Sequence, residues 1–234
     1  MSKISSALKL YIKAAANPFI IGFGLFMMIG MSIAFIVAPD AVGSKDYISM
    51  LEAIQMGNVG IVCMVIYANT KIKQNKFYSS CNCAKELFVF GPVFVAIVLN
   101  VLYNAVLAVS AYINLGTVGL ADLLVFNTVS SVLLIIICGS HGKKDVPFIA
   151  LIQIISYVAF MLFPIILKIA SRLQAVLQAM LGLPLITSVI IHLSGYVLAV
   201  IATIAIEKYW WKKGDKFVMP NQAMMNALEG AEKE

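Results

Sequence analysis

Asn69–Pro92 reads NTKIKQNKFYSSCNCAKELFVFGP, and its four lysines and single glutamate stand between two long apolar runs. If those runs cross a membrane, the lysine bias assigns the stretch to the cytoplasm. Its aromatic residues set among polar and charged ones suit a docking patch for a separate soluble protein, because aromatic anchors with a polar rim are typical of protein interfaces.

The composition supports membrane spans on either side. Of 234 residues, 62% are hydrophobic and 12% are charged, with a mean hydropathy of +0.96. Soluble domains of this size carry about 25% charged residues, so the expected class is an all-α polytopic membrane protein. The net charge of +6 does not point to nucleic acid, because the lysines fall in short segments beside apolar runs rather than along one face. Residues 1–17 are polar and helical and precede an apolar run too long for a signal-peptide core, which predicts an uncleaved amino terminus on the cytoplasmic side.

Taken in order, residues 1–17 segregate Ile4, Leu8, Tyr11 and Ile12 from Lys3, Lys9 and Lys13, which predicts an amphipathic helix at the membrane interface, turned into the bilayer by Asn17-Pro18. Six spans are expected, at about 19–38, 47–68, 87–109, 118–138, 147–167 and 185–206. Residues 168–184 are amphipathic and too polar to span, so they are expected as an outer, re-entrant-like helix before the sixth span. Residues 207–234 form a cytoplasmic tail that begins with an interfacial anchor, Tyr209, Trp210 and Trp211 among lysines. With both ends inside, residues 1–17, 69–86, 139–146 and 207–234 hold fourteen of the seventeen Lys and Arg, leaving Lys45, Lys168 and Arg172 outside.

Polar residues within the spans are few. Glu52 lies near the outer end of the second span and is expected to reach the interface, with a substrate path or subunit seam as the alternative. Asn100 and Asn104 share a helical face near Tyr103, which predicts hydrogen bonding to another helix. Asp122 is expected at the outer interface. His192 lies deeper, in the sixth span, and joins Glu52, Asn100 and Asn104 as a candidate for the path or seam.

No catalytic constellation stands out. The two histidines, His141 and His192, fall on opposite membrane faces in this topology, and no metal-binding helix, nucleophile elbow or phosphate loop is present. Cys81-Asn82-Cys83 has no second ligand pair, so no metal site is expected. No catalytic residue is assigned, and ATP hydrolysis by this chain alone is excluded.

An amphipathic leader, six spans, a basic segment between the second and third and an outer helix before the sixth resemble the membrane subunit of an ABC-2 type exporter. Lys76-Phe77-Tyr78-Ser79-Ser80-Cys81-Asn82-Cys83-Ala84-Lys85 is similar to the segment of small bacterial members that leads into the third span. It departs from them at Cys81-Asn82, where members often carry Leu-Pro or Ser-Pro. The resemblance implies that residues 69–86 form a cytoplasmic coupling loop docked on a cytosolic ATPase subunit, present in two copies, through Lys76, Phe77, Tyr78, Ala84, Lys85 and Glu86. It also implies a second permease, identical or homologous, ATP and Mg held by the partner ATPase, a bacterial plasma membrane and export of an amphipathic substrate such as a peptide. The alternatives are an ATP-independent secondary transporter or channel, which would use carboxylates at mid-membrane, and a membrane immunity protein acting by binding alone.

Overall fold

The computed structural model of the chain describes residues 3–37, 39–42, 44, 46–139, 155–156, 158–160 and 179–213. Among these no strand occurs, and the elements are α1 (Lys3–Ala15), α2 (Pro18–Val37), α3 (Tyr47–Ile54), α4 (Met56–Gln74), α5 (Lys76–Ser80), α6 (Ala84–Val89), α7 (Gly91–Gly139) and α8 (Leu185–Lys213). Four helical stretches are long and apolar enough to cross a membrane: Pro18–Val37, Tyr47–Gln74, Ala84–Gly139 and Leu185–Tyr209. Most of the expected fifth span, residues 168–178 of the outer helix, the 140–146 segment with His141 and the tail beyond 213 lie outside the described residues.

α7 is a hairpin rather than a rod. Gly116 has φ 71° and ψ −162°, a conformation open to glycine and strained for other residues. The chain reverses there. Asn127 donates to Asn104, and Gly139 lies against Val93, so both pairs are centred on Gly116 and the arms 91–115 and 117–139 run antiparallel. The expected turn at 110–117 is thereby drawn in to one residue, and helix continues on both sides of it.

The other boundaries have local causes. Asn17 accepts from the backbone N–H of Phe19 and Ile20, at 3.0 and 3.3 Å, capping α2 with Pro18 in its first position. α4 runs beyond the expected end of the second span to Gln74, because Lys71 and Lys73 are good helix formers and sit in the last turn, where cations offset the carbonyl end. Residues 69–86 are therefore mostly helical. Asn75 turns extended and caps α5 by accepting from Phe77 N–H.

The core is apolar, with Leu51, Ile61, Leu107 and Phe126 enclosed, but the outer surface is apolar as well. Large apolar side chains point outward, among them Phe19 and Ile186 at 79% and 76% exposed, while Asn58, Asn100, Asn127 and Ser131 are almost fully buried. Such a surface suits lipid, and helices in lipid associate through small residues and buried hydrogen bonds. α2 and α4 cross at Gly24 and Gly60, where a methyl group on Gly60 would lie 2.6 Å from the Gly24 carbonyl oxygen. α8 packs along α7 and leaves Ile190, Leu193, Val197 and Ile201 exposed.

α1 is held by the bundle through Ala7 and Tyr11, whereas Ile4 and Ile12 stay exposed. The apolar face expected of this helix is thus divided between protein and surroundings. Tyr11 donates to Asn69 Oδ1 at 2.6 Å and lies against Gly91.

Gly116→Ala should lower the unfolding free energy by about 1–3 kcal/mol, although nothing lies within 4 Å of the position. Gly30→Ala, inside α2 and equally unobstructed, should be neutral or stabilising. Equilibrium unfolding in detergent micelles measures both.

Candidate functional site

The centre of the bundle is a closed ring of five carboxamides. Gln55 donates to Asn127, Asn127 to Asn104, Asn104 to Asn100, Asn100 to Asn58, and Asn58 back to Gln55. The four asparagine donors make bonds of 3.0–3.1 Å. Gln55 stands between α3 and α4, Asn58 is on α4, Asn100 and Asn104 are on the first arm of α7, and Asn127 is on its second arm. The amide of Asn104 also reaches the Ser131 hydroxyl at 3.3 Å.

A helix break supplies the glutamine. At Gln55 the ladder tightens by one residue, with Gln55 N–H bonding Glu52 O and Asn58 N–H bonding Gln55 O. The carbonyl of Ile54 loses its helical partner and accepts from the Tyr103 hydroxyl instead. Gly57 makes room for this contact, since a methyl group there would fall 2.2 Å from the tyrosine ring.

Two further polar nodes lie above and below the ring. At one end Asp122 accepts from the Tyr47 hydroxyl at 3.1 Å and from Gly182 N–H at 2.7 Å. At the lysine-rich end Asn69 accepts from Tyr11 and donates to the Cys138 carbonyl at 3.1 Å. Sixteen residues of helix separate Asp122 from Cys138, roughly 24 Å at 1.5 Å per residue, so the ring lies within the hydrocarbon layer if the bundle spans a bilayer of about 30 Å.

The residues singled out from the sequence are only partly brought together. Asn100 and Asn104 are in the ring. Glu52 is 6% exposed and Asp122 is 2% exposed, so both side chains are enclosed by protein. Both are enclosed because α3 is covered by its neighbours, and Asp122 is held inward by Tyr47 and Gly182. His192 is half-buried on α8 with Nδ1 3.2 Å from the Thr128 hydroxyl, apart from the ring. Gln55, Asn58 and Asn127 were not among the candidates; their signal was the presence of several amides in otherwise apolar helices.

In the basic segment, Phe77 is 60% exposed, Tyr78 is half-buried and stacks edge-on with it at 5.6 Å, and Lys85 is exposed. Ala84 is buried and Glu86 half-buried, which leaves Phe77 and Lys85 as its most accessible candidate side chains. The side chains of Lys76 and Trp210 lie outside the description. Tyr209 is exposed, whereas Trp211 packs on Phe88 at 6.0 Å and so binds α8 to α6. Burial, and next the neighbouring Cys81 thiol, push the Cys83 thiol above its ordinary pKa, which opposes the thiolate form that metals and electrophiles require.

Tyr103→Phe should cost about 1–3 kcal/mol by leaving the Ile54 carbonyl without its donor, and Gly57→Ala should cost at least as much by displacing the ring. Chemical denaturation followed by tryptophan fluorescence reads both losses. Comparison of the chain with protein-family models, with curated proteins and with solved structures finds no match.

Proposed function

We propose that this chain is the transmembrane permease subunit of an ATP-binding-cassette exporter of the ABC-2 type. In this reading it crosses a bacterial plasma membrane six times with both termini cytoplasmic, pairs with a second permease, and is driven by two cytosolic ATPase subunits that hold ATP and Mg. The observation that carries the reading is the exposed Phe77 ring on α5, a short helix capped by Asn75 and set between α4 and α6 at the lysine-rich end. An aromatic side chain presented this way, with Lys85 nearby in sequence, is suited to insert into a groove of a soluble partner.

The framework suits force transmission. α4 is 19 residues long, roughly 28 Å, and joins α5 at one end to the amide ring at the other. A push on Phe77 would therefore reach α3 and both arms of α7 as one body, a rigid-body transition between inward-facing and outward-facing states. An apolar groove of about 470 Å³, lined by Ile36, Val106, Val109 and Ile113 among others, fits the apolar part of an amphipathic substrate such as a peptide. Hydrolysis belongs to the partner in this mechanism, and the chain itself is not an enzyme.

A second reading, an ATP-independent transporter or channel, draws on the burial of Glu52, since an enclosed intramembrane carboxylate is a common coupling site.

Affinity purification of the tagged chain from native membranes separates the two. The exporter reading predicts a stoichiometric ATPase with the wild type, lost or weakened at least several-fold by Phe77→Ala/Tyr78→Ala. A chain that comes down alone, with transport abolished by Glu52→Gln, would favour the second.

A further inference from the structure

A polar cavity of about 500 Å³ opens where α1, α4 and α5 meet, lined by Lys13, Tyr67, Lys71, Gln74, Asn75 and Tyr78. Among the described residues no carboxylate lines it. Lys13 and Lys71 occupy the last turns of α1 and α4, and the carbonyl ends of two helices contribute at most about half a negative charge each. Two ammonium groups outweigh them, so the cavity is left with net positive charge. The side chains are also held in place: Tyr67 accepts from Asn17 Nδ2 at 2.9 Å, and Lys71 Nζ sits 5.7 Å from the centre of the Tyr67 ring. Tyr67 keeps its hydroxyl proton free to donate, as does Tyr78 beside it, and each ammonium has donors to spare.

The position in the fold narrows the ligand. The cavity is tied to the start of the apolar α2, because Asn17, which donates to Tyr67 in the cavity wall, also caps that helix. Cationic and phenolic donors at the start of an apolar helix long enough to span a membrane match an amphiphile with a phosphate head and hydrocarbon tails, whereas a soluble phosphate would gain nothing from the apolar helix. Basic pockets at the ends of spanning helices are where anionic headgroups are captured.

We infer that this cavity is a binding site for a phosphate group, supplied by an anionic phospholipid whose headgroup is held by Lys13 and Lys71 and hydrogen-bonded by Tyr67 and Tyr78. Bound there, the lipid bridges α1 to the last turn of α4 and fixes the root of α5. The inference does not rest on the exporter reading, because it needs no partner protein.

The test uses the purified full chain in nanodiscs of phosphatidylcholine containing a minor fraction of phosphatidylglycerol, with lipid retained after transfer to mild detergent counted by native mass spectrometry. The wild type should retain phosphatidylglycerol over phosphatidylcholine, and Lys13→Gln/Lys71→Gln should weaken retention about tenfold or more. Both lysines are exposed at the cavity mouth, so these changes leave the packed core intact. Lys13→Arg/Lys71→Arg should keep most of the retention. Lys3→Gln/Lys9→Gln, which removes the same charge from α1 outside the cavity, should leave it unchanged. Equal losses from the two glutamine pairs would reduce the effect to general surface charge and overturn the site, as would no loss from either. Inorganic phosphate is the remaining arm: if it binds the chain in pure phosphatidylcholine discs and displaces phosphatidylglycerol from the mixed ones, the lipid assignment fails and the ligand is a soluble phosphate.

Discussion

A buried carboxamide without a partner costs about 1–3 kcal/mol, and this bundle gathers five of them around one point. The ring through Gln55, Asn127, Asn104, Asn100 and Asn58 gives each amide a donor and an acceptor, and it closes only when α4 and both arms of α7 stand in one register. Individual interhelical hydrogen bonds in membranes average about 0.6 kcal/mol, so the ring adds little to net stability. Its larger effect is on alternatives, because a one-residue slip of any member strands several amides together.

The rest of the bundle follows from that register. The helix break at Gln55 turns the glutamine into the ring and frees the Ile54 carbonyl, which Tyr103 then satisfies. Gly116 places Asn104 opposite Asn127 by reversing α7 midway between them. Asp122 and Asn69 repeat the device at the two ends, each joining three separate segments of chain. Between these levels large apolar side chains such as Leu51, Ile61, Leu107 and Phe126 fill the core, and Gly24, Gly57 and Gly60 allow close approach. A body tied at three depths moves as a unit, which is the property the proposed ATP-driven mechanism requires.

The helical class and the positions of the apolar stretches were legible in the sequence, because hydrophobic length alone marks a spanning helix. That Asn100 and Asn104 share one helical face was legible too, from their spacing of four. The partners across the interface were not, since Asn58 and Asn127 lie 69 residues apart in the chain and periodicity carries no information about which faces meet. The enclosure of Glu52 and Asp122 was not legible for a related reason: distance from the end of an apolar run measures depth, and burial depends on what covers the helix. Charge marks residues 69–86 as a loop, yet lysine and glutamine extend a helix as well as leucine does, and the chain leaves the helix only at Asn75 and at Cys81–Cys83.

A double-mutant cycle on Asn58 and Asn127 tests the ring most directly, because these two side chains share no direct hydrogen bond and are joined through Gln55 on one side and through Asn100 and Asn104 on the other. Each would be replaced by leucine singly and together, and unfolding free energies measured in one detergent. In a closed ring the first replacement already opens the circuit, so the double variant should lose at least about 1 kcal/mol less than the two single losses combined. Additivity within about 0.3–0.5 kcal/mol would mean that the two amides act independently and would contradict the account.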